Sequence, residues 1–397
     1  MDMANKLDFE KYTDKYFLRA YEILQKENLN PFVRAQIFVR KGPGILAGMD
    51  EMISFICSNS DLEKNGGRIY ALSDGESYDP LETILLIEAP ILDIIRLETV
   101  YLGIISSSLA IFNDNRKLDF ENIEKRMKSV VSAAGNRPVT YFGARHWSYK
   151  NDADISKAAI SGGAVGAATD IGASCIGKEG SGTIPHALEN IFAWKCGKEN
   201  AVKEATIAFD RYMNENIVRV ALIDYNNREI DDALQTVKSV PSLAAVRIDT
   251  CGENIGQGAL SMTDFDGKSE NEINQMLQTF FGKTVSVPKE DEKYWFGTGV
   301  SISGVYAVRK ALNENGFEKI QIMLSSGFGD VNKIEAFTKA EAMLDMKLFD
   351  SLGVGGIYES RDATMDIVAV GESIDTLIPM AKVGRAYRPN PRLKRII

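Results

Sequence analysis

From residue 219 to 250 the chain reads RVALIDYNNREIDDALQTVKSVPSLAAVRIDT. Two apolar runs, 219–223 and 244–248, end directly in Asp224 and Asp249 and flank a helix-period stretch over 230–238. Strands separated by a helix lie parallel, because a parallel pair needs a long crossover between its members. The same rhythm extends outward on both sides. Further strands are expected at 139–142, 173–176, 320–324 and 353–357, with helices at 157–168, 187–194 and 199–214. Polar and glycine residues at the carboxyl ends of parallel strands mark the active face of a barrel or open sheet. So many different strand ends carry such residues that the expectation is an α/β barrel.

The rest of the chain is arranged around that unit. Residues 253–318 interrupt the rhythm as a long excursion with helices near 270–281 and 303–315. The first hundred residues mix a helix at 14–25, a half-buried strand at 32–40, a helix at 47–57, a strand at 68–72 and extended chain at 78–87. A long apolar helix follows at 92–111. A strand at 365–370 precedes a basic tail, 382–397, that reads as a solvated terminus. The division expected is an α+β domain over 1–115, completed by 358–397, and an α/β barrel over 116–357.

Composition narrows the class. The 397 residues are 45% hydrophobic and 25% charged, an ordinary globular balance with length for a large core. A net charge of −9 argues against broad nucleic-acid or membrane-surface binding and leaves room for local anion pockets. Cys57, Cys175, Cys196 and Cys251 form no CxxC pair, which argues against a metal knuckle and fits reduced thiols in a cytoplasmic protein. The opening MDMANKLDFEKYTDKYF lacks the apolar core of a secretion signal. The most apolar stretch, 99–113, is too short to span a bilayer and reads as a buried helix.

The chain has two histidines, His146 and His186. His186 lies in Gly182-Thr183-Ile184-Pro185-His186-Ala187, a turn feeding a helix start, where anions collect. A lone histidine is more often structural, but this placement favours function. Asp224 and Asp249 suit a magnesium ion or ribose hydroxyls, and suit capping the following helices about as well. Arg247 stands two residues before Asp249, on the same face of the strand. Ser325-Ser326-Gly327-Phe328-Gly329-Asp330 and Gly353-Val354-Gly355-Gly356 each follow a strand and are expected to precede a helix. Two such turns make a phosphate cradle from backbone N–H groups, or else two tight turns needing positive φ. Tyr141-Phe142-Gly143-Ala144-Arg145 sets an aromatic beside a cation, as a flat anionic ring requires.

Taken in order, these segments, with Asp14-Lys15-Tyr16-Phe17 and Ser161-Gly162-Gly163-Ala164, resemble the nicotinate phosphoribosyltransferase family, in particular its shorter microbial members. The resemblance implies an irregular (β/α) barrel of the type II phosphoribosyltransferase kind with an α+β domain. It implies that nicotinate attacks C1 of phosphoribosyl pyrophosphate to give nicotinate mononucleotide and pyrophosphate, in NAD biosynthesis. ATP hydrolysis would be coupled through a phosphohistidine at His186, with magnesium near Asp224 and Asp249. Phe142 would stack on the pyridine ring, and Tyr16, from a neighbouring subunit of a homodimer or larger homo-oligomer, would cover its other face. Arg145, Arg247 and Thr183 would contact substrate, and Ser326, Gly327, Gly355 and Gly356 the 5′-phosphate. The family motif commonly runs Phe-Gly-x-Arg-Arg, and here His146 replaces the second arginine. The alternatives are a sister enzyme using nicotinamide or quinolinate, and a non-catalytic nucleotide-binding homologue. Quinolinate would need more cations than Arg145-His146 offers, and the intact His186, Asp224 and Asp249 set favours an enzyme.

Overall fold

The parallel strands pair in one six-stranded sheet, in the order Gly166–Ala167, Val139–Tyr141, Ser351–Val354, Gln321–Leu324, Leu243–Ile248, Arg219–Leu222. Every neighbouring pair is parallel, and the sheet curls into a half-barrel. This is a computed structural model, and it describes residues 8–397; the first seven residues of the leader reading lie outside the described residues. The two edge strands do not pair with each other. A loop bridges the opening instead: the Ser181 N–H donates to the Ala167 carbonyl at 2.9 Å, and the Thr183 hydroxyl donates to the Val220 carbonyl at 2.7 Å. That loop delivers His186, the first residue of the His186–Cys196 helix.

Two expectations over this sheet need correction. The stretch 173–176 is helical, lying in Asp170–Ala173 and the short turn Ser174–Ile176. The Thr169 hydroxyl accepts from the Gly172 N–H and caps that helix, a local signal stronger than the β-prone residues after it. The missing strand is Gly166–Ala167, because the helix expected to 168 stops at Ser161 before Gly162 and Gly163. The glycine turn at 355–356 leads to no helix; the chain passes through 357–362 into the strand Ala363–Gly371. A helix at Phe120–Ala134, capped by Asp119, had no counterpart in the expected elements.

The second sheet is antiparallel, in the order Ile378–Pro379, Ala363–Gly371, Phe32–Val39, Thr83–Pro90, Arg68–Ala71, Lys394–Arg395. Phe32–Val39 is therefore a central strand, and most of it is buried rather than half-exposed. The late chain completes this sheet from both sides. Its tail is also not solvated throughout. The buried Gln36 amide donates to the Ala386 carbonyl and accepts from the Arg388 N–H, and Thr83 donates to the Arg388 carbonyl.

Two apolar cores result, one inside the half-barrel and one under the antiparallel sheet. The His186–Cys196 helix joins them. Leu188, Ile191 and Phe192 pack into the antiparallel core, Ala193 into the barrel core, and the Asn190 amide donates to the Ile367 carbonyl at 3.1 Å. The apolar stretch 99–113 forms most of the buried helix Glu98–Asp114. Among the described residues, no helix is long and apolar enough to cross a membrane. All four cysteines are unpaired.

Candidate active site

A cavity of two connected lobes, about 820 and 550 Å³, lies over the carboxyl ends of the parallel strands. Tyr16, Arg145, Arg247 and Asp249 line both lobes. The larger lobe is floored by residues 325–331 and by Gly353, Gly355 and Gly356, with Phe142 on its wall. The smaller lobe holds His186, Lys382, Arg40 and Arg385.

The glycine loops owe their composition mostly to close approach. A Cβ at Gly355 would stand 2.8 Å from the His146 ring, and one at Gly353 would collide with the Phe142 ring. A Cβ at Gly329 would strike the Gly356 carbonyl, so the two loops pack backbone to backbone. Positive φ is needed only at Ser326 (69°) and Gly327 (82°). The left-handed Ser326 is the kind of local strain that recurs at functional sites. Lys333 steadies this turn by donating to the Ser326 carbonyl at 3.1 Å, and burial pulls its ammonium down to about 8.

Beside the two lobes sits a buried polar cluster. Arg145 pairs with Glu98 at 3.2 Å. Burial pushes the Glu98 carboxyl up to about 8, against the pull of Arg145, with Asp14 and Asp366 adding to the rise. The Asp14 carboxyl is also raised by burial, and the Tyr16 hydroxyl donates to it at 3.4 Å. Tyr16 packs on Gly182 of its own chain and lines its own chain's cavity. Tyr16 thus reaches the cavity of its own chain.

His186 is held by one nitrogen. Its Nε2 stands 3.1 Å from Asp224 Oδ1. A carboxylate only accepts, so Nε2 carries the proton and Nδ1 keeps a free lone pair. Burial and the nearby Lys382 lower the imidazole's affinity for a second proton, outweighing Asp224. Asp224 itself has no exposed side chain. Burial alone would raise its carboxyl, but Lys382 and His186 hold it below the usual range. Asp249 accepts from the Ser325 hydroxyl at 2.7 Å, and Arg247 donates to the Ile184 carbonyl at 3.2 Å, fixing the loop before His186.

Residues 14–109 match the model of the quinolinate phosphoribosyl transferase N-terminal domain. A nicotinate phosphoribosyltransferase from Porphyromonas gingivalis superimposes with a TM-score of 0.59 over 96% of each chain, at 14% identity. One from Vibrio cholerae gives a TM-score of 0.58 over 94% of this chain and 87% of its own, at 12% identity. The chain has the type II phosphoribosyltransferase fold. A nicotinate-nucleotide pyrophosphorylase from Pyrococcus furiosus is 25% identical over 98% of this chain and 82% of its own, with a TM-score of 0.41.

On this fold the residues singled out in sequence divide into three groups. Tyr16, Phe142, Arg145, His186, Arg247, Asp249, Ser326, Gly327, Gly355 and Gly356 all reach the cavity. Thr183 does not line it, because its hydroxyl closes the barrel seam. Asp224 lies beneath the cavity and reaches it through His186 and Lys382. Sequence reasoning missed Lys382, Arg40, Arg385, Arg126 and Asp362, all of which line a lobe. Only the basic character of the tail hinted at two of them.

Magnesium on Asp224 and Asp249 fits poorly. Ligand atoms of His186, Asp224 and Asp249 do lie within 4.8 Å of one another. Yet Asp224 Oδ1 is engaged by His186 and Oδ2 by the Lys382 ammonium. A metal ion would have to displace one of them, so no step is assigned to a resident ion.

Proposed function

We propose that this protein joins nicotinate to phosphoribosyl pyrophosphate, forming nicotinate mononucleotide and pyrophosphate in NAD biosynthesis. The observation that carries this reading is one cavity lined both by Phe142, Tyr16 and two arginines and by the backbone loops 325–331 and 353–356. A flat anionic ring matches the first set, and a ribose 5-phosphate the second. The pyridine nitrogen forms a bond to C1 as the C1–oxygen bond to pyrophosphate breaks. The nitrogen is already nucleophilic, so the site needs alignment and anion stabilisation rather than a strong base. Any magnesium required would arrive on the pyrophosphate of the substrate.

ATP is the proposed second substrate. His186 Nδ1 would attack the γ-phosphorus and release ADP, with Asp224 retaining the proton on Nε2. Arg40, Lys382 and Arg385, which share the smaller lobe with His186, would face the transferred anion. The test is to offer nicotinate, nicotinamide and quinolinate separately with phosphoribosyl pyrophosphate, with and without ATP, and to resolve the products chromatographically. Nicotinate mononucleotide, increased by ATP, is expected; product from nicotinamide or quinolinate alone overturns the assignment.

A further inference from the structure

Lys382 was read in sequence as part of a free tail, yet its side chain is buried against the strand ends that carry Asp224 and Asp249. Its ammonium donates to Asp224 Oδ2 and, at 3.1 Å, to the Asp249 carbonyl. The chain around it is anchored on the same strand ends. The Val383 N–H donates to the Tyr225 carbonyl at 3.0 Å, and the Asn254 amide donates to the Val383 carbonyl at 3.0 Å. A Cβ at Gly384 would strike Cys251 and Asn254, so the backbone is pressed onto the loop after Asp249. Asp224 and Asp249 together keep the ammonium charged despite its burial.

We infer that Lys382 is a positioning residue that supplies the fixed positive charge at Asp224, in the place where a divalent metal ion would otherwise bind. Two acceptors fix two of the ammonium's three N–H groups, and the third is left for an anion in the lobe that Lys382 shares with His186. A covalently tethered cation keeps its position between turnovers, whereas an ion must be rebound. It also explains how a fully buried carboxylate stays ionised to orient the imidazole.

The inference deepens the proposed function by assigning a role beside His186, but its test uses no substrate and reads the site apart from any activity. Mn²⁺ alone is titrated into wild-type protein, Asp224→Asn and Lys382→Met, with bound ion followed by water-proton relaxation. Wild type and Asp224→Asn are expected to bind Mn²⁺ equally, showing no ion at Asp224. Lys382→Met is expected to gain one site, at least roughly tenfold tighter than any in wild type, which adding Asp224→Asn removes. A wild-type site that Asp224→Asn abolishes overturns the inference. So does a folded Lys382→Met protein that gains none. Should Lys382→Met fail to fold, the comparison of wild type with Asp224→Asn decides alone.

Discussion

At the scale of single residues, the proposed ring binding turns on two arrangements. The missing side chain at Gly353 leaves the space that the Phe142 ring fills. Gly353→Ala should therefore push Phe142 off its position and raise the KM for nicotinate at least roughly tenfold, a loss of about 1.4 kcal/mol, with a smaller change in kcat; steady-state kinetics check this. The second arrangement is the Glu98–Arg145 pair. With its carboxyl near 8, Glu98 is mostly protonated at neutral pH and leaves Arg145 its charge. As pH climbs past 8, Glu98 ionises and repels an anionic ring, so the KM for nicotinate should rise several-fold. In Glu98→Gln that rise should vanish while KM at pH 7 stays nearly unchanged; a rise of equal size in the variant would contradict the assignment. Stability follows the same sign. The folded carboxyl binds its proton more tightly than the unfolded one, so its contribution is complete below the ordinary value of 4.5 and is lost as pH rises towards 8.

At the scale of elements, the segment between the last barrel strand and Ala363–Gly371 is fastened at its end by Arg361, as Tyr358 fastens it nearer the barrel by donating to the Gly143 carbonyl. Arg361 makes two bonds to Asp114, at 3.0 and 2.8 Å, and one to the Tyr78 hydroxyl at 2.8 Å. It ties the end of Glu98–Asp114 to the chain entering the central sheet. Arg361→Ala leaves Asp114 with Lys41 as its remaining ion-pair partner. The expected cost is about 2 kcal/mol in denaturant unfolding, below the roughly 3–5 kcal/mol of a fully buried pair because Asp114 is partly exposed and keeps Lys41; a change near zero would contradict this anchoring role. Elements were legible in sequence where a long apolar run or a helix period declared them, as in 219–250. They were misread where the local signal was short. Gly166–Ala167 is two residues long and offers no periodicity, while Cys175-Ile176 looks β-prone yet follows a capped helical turn. For Gly353 and Gly355 the alternative of a positive φ does not hold; the missing side chain there is required by close packing against Phe142 and His146.

At the scale of the whole molecule, the site draws on parts of the chain that sequence proximity cannot connect. Lys382 meets Asp224 across 158 positions, and no pattern near either residue announces the pairing. The strand-end residues were legible because a parallel sheet gathers its carboxyl ends by construction; the cations from the tail were not. The N-terminal helix Lys15–Lys26 also reaches the barrel of its own chain, where Lys15 pairs with Asp170 at 2.9 Å and Tyr16 lines the cavity. Co-purified Tyr16→Ala and His186→Ala chains should therefore not restore activity to each other, whereas shared sites would recover part of it in mixed oligomers. The proposed function comes down to one cavity transferring a phosphoribosyl group to a pyridine nitrogen. Phosphorus NMR of the protein with phosphoribosyl pyrophosphate and nicotinate tests that directly. Pyrophosphate and a new nucleotide 5′-phosphate signal are expected to grow in equal amounts, and only when the base is present. Phosphoribosyl pyrophosphate that persists unchanged, or that breaks down to ribose 5-phosphate regardless of the base, would contradict it.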